Sequence, residues 1–213
     1  MKQYQKIQTV FLRDPETKHK TLLEGVWAKP EFELLKNIDW TCTEKIDGTN
    51  IRIMWDGKQV EFGGKTDRAQ IPATLLAVLK ETFTNEKMAA CFADADQVCL
   101  YGEGYGAKIQ KGGGNYLPDR TDFILFDVKV GEFWLGREAN EDIASKLAIK
   151  VVPVMGVMKL EEAVEMVKVG FKSTISDNKE HIAEGLIMKP VTELFNRKGQ
   201  RVISKIKYKD FAR

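Results

Sequence analysis

Residues 40–63 read WTCTEKIDGTNIRIMWDGKQVEFG. Trp40, Cys42 and Glu44 alternate with threonine and lysine, which is the period of a strand, and that strand is expected to end near Ile46. Asp47-Gly48 then turns the chain into a second alternating run, Ile51-Arg52-Ile53-Met54-Trp55. Asp56-Gly57 and residues 58–62 complete the signature of a β-hairpin. A lysine at a strand end beside a tight turn can project into a cleft, and Lys45 occupies that position.

Outward from this hairpin, residues 71–83 carry Leu75, Leu76, Leu79 and Phe83 at helical spacing, with Pro72 in the first turn. Residues 97–101 and 122–130 read as strands, and 129–134 as a second hairpin turning at Gly131. Residues 138–148 and 160–169 read as helices, and 185–189 and 201–207 as strands. The elements do not alternate as βαβ units, which predicts an α+β fold with largely antiparallel sheets. No repeat or low-complexity linker divides the 213 residues, so one domain over 1–213 is expected, with 1–40 as an extension ahead of the lysine motif.

Composition excludes several classes. No apolar run approaches the ~20 residues that span a bilayer. The start MKQYQKIQTVF lacks the apolar core of a signal peptide. Cys42, Cys91 and Cys99 form no CxxC and read as thiols of a reducing cytoplasm, of a cell or of a phage-infected host. His19 and His181 are too few for a His-rich metal site. A net charge of +2 excludes nucleic-acid binding by bulk charge. Charge is uneven, however. From Glu193 to Arg213, seven cations (Arg197, Lys198, Arg201, Lys205, Lys207, Lys209, Arg213) face two acids, Glu193 and Asp210. Either a solvated surface or a phosphate-facing segment accounts for that run.

Two glycine-rich stretches are decoys. Gly63-Gly64-Lys65-Thr66 looks like the end of a P-loop, but Gln59 holds the place of the first glycine and Pro72 falls where the helix should run. Gly102-Glu103-Gly104-Tyr105-Gly106 lacks the spacing of a dinucleotide fingerprint and the surrounding βαβ unit.

Five blocks occur in order: EKIDGTN (44–50), YGEGYG (101–106), DFILFDV (122–128), EGLIMKP (184–190) and SKIKYK (204–209). Together they resemble motifs I, III, IIIa, IV and V of the covalent nucleotidyltransferases, the superfamily of ATP-dependent DNA ligases, RNA ligases and mRNA capping enzymes. The closest resemblance is to RNA ligases of the phage and bacterial type, since Asn50 stands where DNA ligases usually place arginine. The implied fold is an antiparallel-sheet adenylyltransferase domain of the ATP-grasp-like DNA/RNA ligase type, here without an OB-fold domain.

The resemblance implies a role for each matching residue. Lys45 takes AMP from ATP as a lysyl phosphoramidate. Asp47 and Glu184 hold Mg²⁺ or Mn²⁺ through its waters. Glu103 contacts the ribose, Phe126 stacks on adenine, and Lys205 and Lys207 grip the α-phosphate. Glu44, Ile46 and Asn50, beside the nucleophile, line the nucleotide pocket. Arg68, in GGKTDRA, matches the catalytic arginine that follows motif I. Residue by residue, blander readings stand beside these: Phe126 as core, Glu103 as a turn cap, Glu184 as a helix-end charge, and Lys205 with Lys207 as one solvated strand face.

The chemistry explains these residue types. Phosphoryl transfer is mostly positioning and charge neutralisation, which two lysines and a hydrated cation on hard carboxylate oxygens would supply. Residues 106–116, GAKIQKGGGNY, read as a mobile basic loop, either a disordered connection or one whose Lys108 and Lys111 contact nucleic acid. Residues 6–27 read as an edge strand plus loop, or as a phosphate contact through Arg13, Lys18, His19 and Lys20. Since the sequence runs only six residues past Lys207, a minimal stand-alone, monomeric catalytic domain is expected. The implied activity is sealing a 5′-phosphate end of RNA to a 3′-OH, in a nicked duplex, through lysyl-AMP. A minimal DNA ligase, a GTP-using capping enzyme and a non-catalytic nucleic-acid-binding module are the alternatives.

Overall fold

A computed structural model describes residues 3–93 and 95–211. Arg213, the last cation of the C-terminal run, and the first two residues of the N-terminal extension lie outside them. Tertiary contacts divide the chain into two compact units.

One unit comprises Gln5–Ile46, Pro153–Ile175 and residues from Lys179 onward. Its five-stranded sheet runs in the order Gln8–Thr9, Ser204–Lys207, Gly185–Pro190, Trp40–Lys45, Val154–Met158. Pairing is antiparallel except for Gln8–Thr9, which lies parallel to Ser204–Lys207. The helix Leu160–Val169 places Leu160, Ala163, Val164 and Val167 on one face, at helical spacing, and buries them with Trp40, Cys42, Leu186, Met188 and Ile206. Glu162 accepts a hydrogen bond from the Lys159 amide at the helix start, and Gly170, at φ 87°, ends it. Each large apolar side chain enclosed this way contributes about 1.5–3 kcal/mol. The expected N-terminal edge strand is Gln8–Thr9, and a hairpin of Phe11–Arg13 with Leu22–Trp27 follows it.

The other unit is built on Asp47–Val152, with Tyr4 and Ser176–Asn178 joined to it. Its sheet runs in the order Lys150–Val151, Thr121–Val130, Val98–Gly106, Thr49–Trp55, Val60–Gly63, and Phe133–Trp134 pairs back on Thr121–Val130. The helices Ala73–Thr82, Asn85–Cys91 and Arg137–Leu147 bury Leu75, Leu79, Met88, Ile143 and Leu147 with Ile51, Ile53, Leu100, Phe123 and Leu125. Alternation turns Asn50, Arg52, Tyr101 and Glu103 to the opposite face of this sheet.

Both expected hairpins form, at Thr49–Trp55 with Val60–Gly63 and across Gly131. The fold is α+β with largely antiparallel sheets. Pro72 stands just before its helix rather than inside it, since a residue without an N–H loses nothing there. The 97–101 strand continues to Gly106, so Glu103 lies within a strand rather than capping a turn. The last strand is shorter than 201–207, spanning Ser204–Lys207. All three cysteines are free, and burial pushes the Cys42 thiol up to about 12.

Candidate functional site

In the first unit, Gly185 lies opposite both Lys45 and Lys207, so Glu184 sits at the end of the strand between theirs. Lys45 Nζ donates to Glu184 Oε2 at 2.5 Å, and Lys207 Nζ meets Oε1 at 2.6 Å. The Tyr208 amide donates to the Glu184 carbonyl at 2.8 Å, which fixes the backbone beneath the bridge. Gly185 makes this approach possible. At φ 150°, a Cβ there would lie 2.0 Å from the Ile206 carbonyl oxygen.

Burial alone would raise the Glu184 carboxyl, but the ammonium groups of Lys45 and Lys207 outweigh it and hold the carboxyl below its ordinary value. Lys205, two residues before Lys207 on the same strand face, is also shifted down, but for a lysine this disfavours the charged form. Burial, then the neighbouring charges of Lys207 and Lys45, push its ammonium down to about 8. Two lysines thus share one carboxylate with a third lysine's charge nearby, an excess of positive charge suited to an anionic group such as a phosphate.

Two further residues brace this cluster. Asp210, buried, accepts from Arg13 Nη2 at 2.8 Å and from the Lys207 amide at 3.2 Å. Arg13 also donates to the His19 carbonyl at 3.2 Å, so the N-terminal hairpin is tied to the end of the Lys207 strand. Lys18, His19 and Lys20 are exposed on that hairpin. Glu44 is occupied elsewhere. Its carboxylate accepts from Ser173 Oγ at 2.5 Å, the Thr174 amide at 2.9 Å and Thr174 Oγ1 at 2.7 Å. Ile46 is buried.

In the second unit, the Asp47 amide donates to the Tyr116 hydroxyl at 3.2 Å, and Gln110 Nε2 donates to the Gly48 carbonyl at 2.9 Å. Both partners come from the 106–116 loop, read from sequence as mobile. It is pinned instead: Gly113–Tyr116 forms a helical turn, and the Asn115 carbonyl accepts from Ser176 Oγ at 2.5 Å. A Cβ on Gly113 would lie 2.0 Å from the Gly106 carbonyl oxygen, so close packing, not freedom, requires that glycine. Lys108 and Lys111 point outward and are exposed.

Asn50 and Glu103 are directly opposite each other in the sheet. Asn50 Oδ1 is buried with no hydrogen-bond partner among the described residues. Phe126 occupies a bulge, because Tyr101 pairs with Asp127 while Gly102 pairs with Leu125. Its half-buried ring meets Tyr4 edge-on at 5.0 Å, and the Tyr4 hydroxyl donates to Asp127. Buried Arg52 holds the 64–70 segment through the Gly64 carbonyl at 2.9 Å and Asp67 at 2.7 Å. Arg68 is exposed on that segment. Sequence reasoning missed Tyr116, Arg52, Asp127, Ser173 and Thr174. Only Tyr116 carried a signal, as the aromatic that ends the glycine-rich loop.

The family model for RNA ligases matches residues 38–207. The chain belongs to the RNA ligase family. Solved structures share the fold. A Naegleria gruberi RNA ligase mutant with AMP and Mn superposes with a TM-score of 0.64 at 20% identity, over 84% of this chain and 52% of that one. The same organism's RNA ligase with PPi gives 0.63 at 20%, again over 84% and 52%. Another mutant of it, with ATP and Mn, gives 0.63 at 19%, over 84% and 51%. At this identity the likeness is one of fold, and the chain spans about half the length of those RNA ligases. No curated protein sequence gives a significant match. No OB-fold domain is present among the described residues.

Proposed function

We propose that this RNA ligase family member is an active ATP-dependent RNA ligase that works through lysyl-AMP. The observation that carries the reading is the Lys45–Glu184–Lys207 bridge with Lys205 beside it. A nucleophilic lysine set among phosphate-binding lysines is what transfer of a nucleotidyl group needs. Lys45 attacks the α-phosphorus of ATP: an N–P bond forms and the bond to pyrophosphate breaks. The amine must be neutral to attack, and Glu184, 2.5 Å away, orients it. Lys205 and Lys207 offset charge on the non-bridging oxygens. AMP then passes to a 5′-phosphate end, and a 3′-OH displaces it.

For the nucleoside we assign Asn50, Glu103 and Phe126, with Ile46 and Glu44 flanking Lys45. The unpartnered, buried Asn50 Oδ1 supports this, since an amino or hydroxyl donor of a nucleotide would satisfy it. Asp47 and Glu184 are the carboxylates assigned to Mg²⁺ or Mn²⁺, which would neutralise phosphate charge. Hard carboxylate oxygens fit such a cation. Among the described residues no group of three or more metal-ligating side chains occurs, so water and phosphate oxygens would complete its shell. Arg68 is assigned to the transfer steps, and Lys108 and Lys111 to the RNA strand.

The substrate proposed is a nicked duplex with 5′-phosphate and 3′-OH ends, sealed by a monomer in a reducing cytoplasm. Three free cysteines support that compartment. No helix among the described residues is long and apolar enough to cross a membrane. Incubation with ATP labelled at the α-phosphate and Mg²⁺, followed by a denaturing gel, tests the chemistry. Label on the wild type and none on Lys45→Ala is expected. An unlabelled wild type, freshly stripped of bound AMP, would remove the reading. Preferential circularisation of an unpaired strand over sealing of a nick would reject the duplex.

A further inference from the structure

The structure splits the C-terminal basic run into parts with different tasks. Lys205 and Lys207 surround Glu184. Arg201 is buried, with its Nε 2.5 Å from Glu193. Arg197 and Lys198 instead stand exposed at the tip of a hairpin over residues 194–202.

That tip is preset. Phe195 bridges Arg201, and the Asn196 amide donates to the Gln200 carbonyl at 2.8 Å. Asn196 Oδ1 accepts from the Lys198 amide at 2.9 Å and the Gln200 amide at 3.0 Å. Gly199 takes the left-handed conformation that the turn requires, at φ 70°. Below the tip, the Val202 amide donates to the Leu194 carbonyl at 2.8 Å, and Leu194 packs on the core. On this braced hairpin Phe195 remains 54% exposed.

An exposed aromatic ring two and three residues before a pair of exposed cations, on a hydrogen-bonded turn, has a specific chemical complement. The ring offers a face for a nucleobase, and the cations attract the phosphates that join it to its neighbours. A protein partner seeking apolar area would be poorly served, because residues 196–198 of the tip are Asn, Arg and Lys. A paired helix hides base faces, whereas an unpaired strand offers them.

We infer that the 194–202 hairpin binds an unpaired segment of an RNA strand, stacking a base on Phe195 with adjacent phosphates on Arg197 and Lys198. This rests on RNA as the substrate, not on the covalent chemistry, and the segment bound is an unpaired stretch outside the nicked duplex proposed above. It adds a strand contact outside the lysine cluster.

The test is fluorescence-anisotropy binding of a short, labelled, 5′-phosphorylated single-stranded RNA across a KCl series. Wild type, Phe195→Ala, Phe195→Trp and Arg197→Ala/Lys198→Ala are compared, with lysyl-AMP formation and thermal melting measured in parallel. Phe195→Ala is expected to weaken binding at least about fivefold, and Phe195→Trp to restore it. The double variant should lower the slope of log affinity against log salt by about 1.4, two contacts' worth on a single strand. Lysyl-AMP formation and melting should be unchanged in all three variants. Wild-type affinity in Phe195→Ala, no recovery in Phe195→Trp, or no RNA binding by the wild type would each overturn the inference. The stated binding pattern in a protein that forms no lysyl-AMP would uphold the hairpin and sink the ligase reading instead.

Discussion

Glu184 holds the Lys45 ammonium at 2.5 Å while its second oxygen holds Lys207 at 2.6 Å. Glu184→Gln keeps the shape and removes the charge, leaving two ammonium groups facing an amide. It should destabilise the protein by roughly 2–3 kcal/mol, somewhat below the value for a fully enclosed pair. Lysyl-AMP formation should fall on the order of 10²-fold or more. The sign of the pH dependence follows from the lowered carboxyl. Its stabilisation is complete above the unfolded value near 4.5 and is lost as pH falls through the folded value. Thermal unfolding from pH 7 downward should therefore show the wild type converging on the variant. Parallel curves would show that the bridge does not form in solution.

Lys205, with its ammonium pushed down to about 8, should lose its charge as pH rises through that value. ATP affinity should weaken over the same range, and Lys205→Arg should abolish that weakening, since arginine stays charged. The folded protein also strains to keep this lysine protonated. Below about pH 8 that penalty is constant, and it fades as pH rises toward the unfolded value of 10.5. Lys205→Met should accordingly raise stability near pH 7 by roughly 1 kcal/mol, after allowance for solvent screening, while impairing lysyl-AMP formation. A KM for ATP that is flat across pH 7–9 in the wild type would contradict this.

Tyr116 offers its hydroxyl to the Asp47 amide. Tyr116→Phe leaves the ring in place and the amide without its acceptor, at a cost of about 1–3 kcal/mol. The turn after the nucleophile should loosen, so lysyl-AMP formation slows on the order of tenfold while near-ultraviolet circular dichroism stays native. An unchanged single-turnover rate would show that the hydroxyl positions nothing.

Glu44, beside Lys45, accepts three hydrogen bonds from Ser173 and Thr174. Glu44→Ala should cost roughly 3 kcal/mol, because three donors lose one partner in a buried setting. Ser173→Ala should cost about 1 kcal/mol on the same scale. Chemical denaturation checks the ratio, and equal losses would remove Glu44 as the centre of this hydrogen-bond network.

Much of this site was legible in the sequence. The order of five short blocks pointed to Lys45, Glu184, Lys205 and Lys207, and the sheet brings those four together. Their contact depends on register at Gly185, which lies 140 positions beyond Lys45 and leaves no local trace. The bulge at Phe126 was invisible for a related reason. Apolar alternation reports a face, and one inserted residue changes the face without changing composition. Residues 154–158, VMGVM, lack a polar alternate, so nothing local marked them as the partner of the Lys45 strand. The 106–116 loop misled in the opposite direction. Its triple glycine suggested freedom, but Gly113 is small because the Gly106 carbonyl leaves no room.

The strand that ends at Lys45 has both its neighbours far downstream, at Val154–Met158 and Gly185–Pro190, and the Lys207 strand lies beyond the latter. The hairpin Thr49–Trp55 with Val60–Gly63 can close as soon as it is synthesised, but the sheet that carries Lys45 cannot. A nascent chain therefore carries Lys45 for most of translation without the Glu184 carboxylate and the Lys205 and Lys207 side chains that gather near it in the folded sheet. On the chemistry proposed above, the lysine cluster is assembled only once Ser204–Lys207 has paired with Gly185–Pro190.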